Sequence, residues 1–251
     1  SLILPIAAWF GSRLGRRNYF TVAIIIFTLS SFLCGISPNL FFLIVFRIIQ
    51  GLSGGALLPT AQTLIQEQFP KEKATLGMAI FGMSIMIGPA LGPVLGGYLT
   101  DNFGWRAIFN VNVPLGIIAA ICSYVYIDQT KTSTTDKKSV DWLGFALLFL
   151  GVGCFQFVLE RGQAEGWLDS NIIKTCLIAA VASLSTFIYW ELKVDNPIMN
   201  LRLFKTNAVT AGSALMMALG IILYTLTFVV PIFSDNVIRL SATQTGVLFI
   251  P

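Results

Sequence analysis

Residues 77–97 read GMAIFGMSIMIGPALGPVLGG. Gly88, Gly92 and Gly96 recur at every fourth position, which puts them on one face of a helix. Ile85, Met86, Ile87, Leu91, Val94 and Leu95 surround them, and no charge interrupts the run. On an apolar helix such a stripe lets a second helix approach backbone to backbone inside a bilayer. Pro89 and Pro93 lie within it. In water each would break the helix; in lipid, neighbouring helices and side chains satisfy the freed carbonyls. The fold this predicts is all-α and polytopic. A plain packing face would need only the glycine spacing, whereas two overlapping Gly-Pro pairs ending in Gly96 and Gly97 form a more specific pattern.

Composition agrees with that reading. The chain of 251 residues is 55% hydrophobic and 11% charged, against roughly 25% charged for a soluble domain. Mean hydropathy is +0.79. The net charge of +4 is spread over loops, which argues against a nucleic-acid partner. The sequence opens on SLILPIAAWF and closes on GVLFIP, so both ends are expected to cut through spans of a longer protein. Cys34, Cys122, Cys154 and Cys176 fall in apolar runs without CxxC spacing. They read as small hydrophobes, not as a disulfide framework or a metal site. Histidine, the commonest metal ligand and general base, is absent. An intramembrane enzyme would need a nucleophile, base or metal cluster, and the sequence offers none. A passive channel would need repeated ring-forming charges. Neither an enzyme nor a cofactor is therefore expected.

A bilayer core takes about 20 apolar residues per helix. Seven runs qualify, at 19–37, 40–66, 74–100, 106–127, 142–160, 172–190 and 207–233, with truncated spans at 1–11 and from near 243. The runs 40–66 and 74–100 are the longest and the richest in Gly and Pro, so tilt or bending is expected there. Alternate loops carry Arg13, Arg16 and Arg17; Lys71 and Lys73; Lys131, Lys137 and Lys138; and Lys193, Arg202 and Lys205. The intervening loops and flanks hold only Arg106, Arg161, Lys174 and Arg239, so the first set is expected to be cytoplasmic. Trp9, Trp105, Trp142, Trp167 and Trp190 fall at or beyond span ends, as an interfacial belt requires. Two polar stretches, 128–141 and 191–206, read as cytoplasmic linkers enclosing a hairpin at 142–190. The second contains Leu and Phe and is expected to lie on the membrane surface.

Arg47 is the only charge deep in any run. An arginine there costs about 3 kcal/mol on insertion scales and so faces protein or a water-filled cavity. Gln50 and Gly51 follow at i+3 and i+4, on nearly the same face. A snorkelling or structural arginine is the alternative. No carboxylate lies mid-span; Glu67 and Glu160 mark ends. In the loop AWFGSRLGRR, residues 8–17, Gly11 and Gly15 permit a tight turn. Arg13, Arg16 and Arg17 can reach helix C-termini or acidic lipids.

These three patterns, in this order, resemble the major facilitator superfamily. The loop at 8–17 is similar to that family's first motif, with Ser12 in place of the usual Asp and Ala8 in place of the first Gly. Leu43, Arg47, Gln50 and Gly51 match the second. Gly88, Gly92, Pro93, Gly96 and Gly97 match the third, the antiporter motif, with Ala79 where a further Gly is usual. WRAIFNVNVPLG at 105–116, LERGQAEGWLDS at 159–170 and DNPIMNLRLFKT at 195–206 resemble the 14-helix drug:proton antiporter group, in its multidrug-exporter branch. The resemblance implies a six-helix bundle over 1–127 lacking its first helix, an extra pair at 142–190 and the start of a second bundle at 207–251. It implies alternating access in the cytoplasmic membrane, driven by protons without a cofactor. Arg47, Gln50 and Gly51 would then serve proton coupling in the cavity. Gly88, Pro89, Gly92, Pro93, Gly96 and Gly97 would gate the outer side, and Arg13, Gly15, Arg16 and Arg17 the inner side; Ser12 removes a carboxylate from that inner latch. Exported amphiphilic drugs, protons, a periplasmic adaptor and an outer-membrane duct would be the partners. Met78, Met83 and Met86 could give the cavity a soft wall. A transporter of one metabolite on the same fold is the alternative.

Overall fold

A computed structural model describes residues 11, 14–128, 141–194 and 197–248; it contains no strand among them. Seven helical stretches are long and apolar enough to cross a membrane: Arg16–Gly35, Leu40–Gln68, Ala74–Phe103, Ala107–Tyr126, Trp142–Arg161, Asn171–Lys193 and Asn207–Phe233. They match the seven apolar runs to within about three residues at each end. Residues 1–10 of the span expected at 1–11 lie outside the described residues, as do Ser12 and Arg13.

Two of the seven stretches are interrupted, and proline explains both breaks. The run at 40–66 forms α2 (Leu40–Gly54) and α3 (Leu57–Gln68) rather than one bent rod. Pro59 has no N–H for the carbonyl of Gly55, and Gly54 and Gly55 lower the barrier to a turn. Likewise α5 (Ala107–Asn110) parts from α6 (Asn112–Tyr126) at Val111, because Pro114 cannot donate to the carbonyl of Asn110. By contrast α4 (Ala74–Phe103) remains helical for 30 residues through both Pro89 and Pro93. At 1.5 Å per residue it is about 45 Å long, more than a bilayer core is thick, so it tilts or projects.

The first helix, α1 (Arg16–Gly35), holds α6 through a seam that its apolar pattern conceals. Thr21, Ile24, Thr28, Ser31 and Gly35 are all buried. Their alternating spacing of three and four residues puts them on one face. The hydroxyls of Thr21 and Ser123 lie 2.8 Å apart. Ser31 donates to the carbonyl of Phe109 at 3.0 Å and accepts from the Asn112 amide at 3.2 Å. A Cβ on Gly116 would collide with Thr28, and one on Gly35 with the Asn110 side chain.

The chain then forms a hairpin of α7 (Trp142–Arg161) and α8 (Asn171–Lys193). Gly151 admits Leu184, whose side chain would lie 2.8 Å from a Cβ there. Asp141 caps α7 by accepting the Gly144 N–H at 2.9 Å and takes the Trp190 indole N–H at 2.7 Å. Glu191, 1% exposed, accepts the backbone N–H groups of Ile198 and Met199, each at 3.2 Å. The linker at 191–206 is therefore folded back on the end of α8. It closes in a short turn at Leu201–Lys205 that leaves Leu203 and Phe204 exposed. Of the other linker, 128–141, only Asp128 and Asp141 are described. The last elements are α9 (Asn207–Phe233), a wide turn at Ser234–Ile238, and α10 (Ala242–Val247), which begins where a further span was expected.

Candidate functional site

Arg47 sits on α2 with its Nη1 donating to Gln50 Oε1 at 3.2 Å. Its guanidinium carbon lies 4.5 Å from the centroid of the Phe109 ring, which α5 brings beneath it. Three contacts fix that ring. The Ser31 hydroxyl holds the Phe109 carbonyl, Trp105 stands edge-on at 6.1 Å, and Arg106 donates to the carbonyl of Ser37 at 3.1 Å. Gln50 and Phe109 are buried, whereas Arg47 keeps an exposed flank. One turn on, nothing lies within 4 Å of where a Cβ of Gly51 would be.

Magnitudes account for this arrangement. A desolvated cation–π contact contributes up to about 2 kcal/mol. A hydrogen bond to a charged group contributes about 1.5–3 kcal/mol. Together they offset an insertion cost of about 3 kcal/mol. Among the described residues Arg47 makes no ion pair, and Gln50 and Phe109 are its partners. Of the residues expected to line the cavity, Arg47, Gln50 and Gly51 lie together on α2. Phe109 was missed. It stands in the WRAIFNVNVPLG segment, but nothing in the sequence marks it among twenty phenylalanines.

On α4 the antiporter pattern meets the far end of the chain, although not through the glycine stripe. Nothing lies within 4 Å of where a Cβ would be on Gly88, Gly92 or Gly96. The close approach is made by Gly246 of α10. A Cβ there would be 2.5 Å from the Pro93 carbonyl oxygen and 2.6 Å from the Val94 Cα. Backbone contact needs a small residue on only one of two helices, and α10 supplies it. Beside the contact lies a cavity of 510 Å³ bounded by Pro93, Gly96, Gly97 and Thr100 of α4, Pro231 of α9 and Thr245 of α10. Gly97 is buried, and Pro89 is part of the continuous helix. At the rim, Asp101 Oδ2 accepts both the backbone N–H of Thr243, at 2.9 Å, and its hydroxyl, at 2.6 Å. Nothing in the sequence marks Asp101, which reads there as a span-end acid; its partner Thr243 is 142 residues away.

The basic loop gathers three helix ends at the opposite side. Gly15 has φ 80°, a conformation that glycine adopts without strain. Arg16 forms an ion pair with Glu67 at the end of α3, and the Arg17 guanidinium lies 5.1 Å from the Tyr124 ring of α6.

The family model described as Major Facilitator Superfamily matches residues 1–251. The chain belongs to the major facilitator superfamily. It is similar to the fatty acid resistance protein FarB of Neisseria gonorrhoeae, 38% identical over 235 residues that make up 93% of this chain and 46% of FarB. It is also similar to the multidrug export proteins EmrB of Haemophilus influenzae and of Escherichia coli K12. Each is 34% identical over 252 residues, 100% of this chain and 49% of the relative. The chain thus spans about half the length of these relatives. As a member of the superfamily, with seven helical stretches long and apolar enough to cross a membrane, it is a multi-pass membrane protein.

Proposed function

We propose that the protein exports amphiphilic compounds in exchange for protons, by alternating access across the cytoplasmic membrane. The observation that carries this reading is the junction of α4 with α10, where one glycine, one cavity and one polar link join elements far apart in the chain. A junction made by one short helix against the second half of α4, with a cavity beside it, suits two bodies that part and meet again. The bodies would be a first bundle within 1–127 and a second beginning at 207, with the 142–190 hairpin between them. Pro89, Pro93 and the open face of Gly88, Gly92 and Gly96 would let α4 slide past the second bundle and seal the outer side. Arg47, with Gln50 and Gly51, would face the cavity and hold a proton acceptor or the cargo's charge. Arg13, Gly15, Arg16 and Arg17 would close the inner side, where the ion pair of Arg16 with Glu67 provides a contact that can open.

The names of the relatives, fatty acid resistance and multidrug export, support amphiphilic cargo. Energetically, a membrane potential of about 150 mV supplies roughly 3.5 kcal/mol per proton. That sustains about a 300-fold ratio of a neutral compound, so exchange of one proton for one molecule is adequate. No cofactor enters the scheme. A periplasmic adaptor and an outer-membrane duct would carry the cargo onward in a double-membraned cell.

The test uses the full-length protein in vesicles with an imposed pH gradient and a fluorescent amphiphile as cargo. Cargo movement should follow the gradient and stop when an uncoupler is added. Movement indifferent to the uncoupler would refute proton exchange. Movement of a single hydrophilic metabolite, with no amphiphile transported, would favour the narrow-transporter alternative.

A further inference from the structure

We propose that Asp101 is the releasable latch of the outer gate, a positioning residue that holds the first bundle to the second through Thr243. The inference rests on the reading that α4 and α10 separate during transport. The contact below the rim is apolar and incompletely filled. Gly246 touches the backbone at Pro93 and Val94, and the 510 Å³ cavity lies beside it. The fit is close at Gly246 and incomplete at the cavity, and the dispersion contacts between them carry no directional bond. The polar link at the rim differs in kind. One carboxylate oxygen receives two donors from one residue, the backbone N–H at 2.9 Å and the hydroxyl at 2.6 Å. The capping box of Ser241 and Gln244 satisfies the N–H groups of those two residues and leaves that of Thr243. Asp101 supplies the acceptor for it from α4, so the start of α10 is completed only when the two bodies meet.

The chemistry favours a latch over a permanent rivet. Hydrogen bonds to a charged acceptor are about twice as strong as neutral ones. Both Asp101 and the N-terminal end of α10 lie at the rim, where water can replace either partner once the bodies part. Asp101 is exposed even in this closed arrangement. The link is therefore strong when made and not prohibitive to break, whereas a buried pair would leave an unpaired charge on opening. Thr243 contributes two donors of unequal replaceability, since a Val there removes the hydroxyl and keeps the N–H.

The experiment uses the full-length protein with its cysteines, among them Cys34, Cys122, Cys154 and Cys176, replaced by serine. A reporter Leu240→Cys faces the cavity, and a membrane-impermeant maleimide is added from outside. Asp101→Ala should speed labelling by about ten-fold, as expected for loss of a charge-assisted bond. Asp101→Glu should restore slow labelling, and Thr243→Val should give an intermediate rate. A role confined to folding stability would move the melting temperature and leave all of these labelling rates at the parent's value, which would overturn the latch. In a second arm, Asp101→Cys with Thr243→Cys is oxidised across the rim. Export should stop and return with reductant. Unchanged labelling in Asp101→Ala, or full export by the cross-linked pair, would overturn the latch. In the second case the same vesicles would still show proton-driven export, so the proposed function would survive. Loss of gradient dependence in the parent protein would instead sink the proposed function, and the labelling rates would still report on the latch.

Discussion

The seam between α1 and α6 and the junction between α4 and α10 each bring two helices together at a glycine, with opposite chemistry. In the seam, Gly116 and Gly35 are notches already filled by Thr28 and Asn110. Side-chain hydrogen bonds run the length of the contact, from Thr21 with Ser123 to Ser31 with Asn112. Sliding by one turn would break all of them at once. At the junction, Gly246 meets bare backbone at Pro93 and Val94, Gly88, Gly92 and Gly96 on α4 stand open, and the polar link lies at the rim. The lesson is that glycine spacing alone does not say whether two helices are welded or able to slip. What enters the notch decides it.

The largest expected effect comes from filling a notch that is occupied. Gly116→Leu drives a side chain into Thr28, an overpacking that costs about 1–3 kcal/mol or more and displaces the seam. Little folded protein should survive, read as detergent-solubilised yield and thermal unfolding of the full-length chain. Gly92→Leu puts the same side chain into open space. Its melting temperature should stay near that of the parent, while exchange in vesicles falls because α10 can no longer pass. Equal loss of stability in the two variants would erase the distinction between weld and slip surface, and unimpaired exchange in Gly92→Leu would remove the stripe from gating.

Arg47 packs against Phe109 beside the welded seam, and its removal should separate stability from transport. Arg47→Ala is expected to lower export by at least about 100-fold with expression and melting temperature retained, since the cation's insertion cost disappears along with its contacts. Arg47→Lys should not rescue, because an ammonium lacks the planar fork that spans the Gln50 oxygen and the Phe109 face. Full export by Arg47→Ala would leave the arginine as a packing residue.

How far the sequence reveals these features follows from the range of the forces involved. The seven spans were legible because burial in lipid acts on every residue of a run, and hydropathy sums it locally. The breaks at 55–56 and at Val111 were equally local, three or four residues before Pro59 and Pro114, and could have been read by asking which carbonyl each proline deprives. Arg47 stood out as a charge in an apolar run. Phe109, 62 residues further on, did not, because any of twenty phenylalanines could have faced it. Asp101 and Glu191 were hidden for another reason. Acids at span ends are the norm in a membrane protein, and only the path of the chain shows that one meets Thr243 and the other is buried against two backbone N–H groups.

The smallest effect tests the weld one bond at a time. Thr21→Val keeps shape and removes the hydroxyl that faces Ser123 at 2.8 Å. Interhelical hydrogen bonds in membranes contribute about 0.6 kcal/mol on average and at most about 1.7. The single variant should therefore lose only a few tenths of a kcal/mol to about 1.5, read by thermal unfolding. Ser123→Ala should lose a similar amount, and the double variant little more than either, because each single change already breaks the shared bond. A coupling near zero would mean that the seam is held by the Gly116 and Gly35 notches alone. The contrast with the α4–α10 junction would then lie wholly in filled against empty glycine surface, and the hydroxyls of α1 would serve only to satisfy themselves in lipid, as Thr28 does by donating to the Ile24 carbonyl at 2.7 Å.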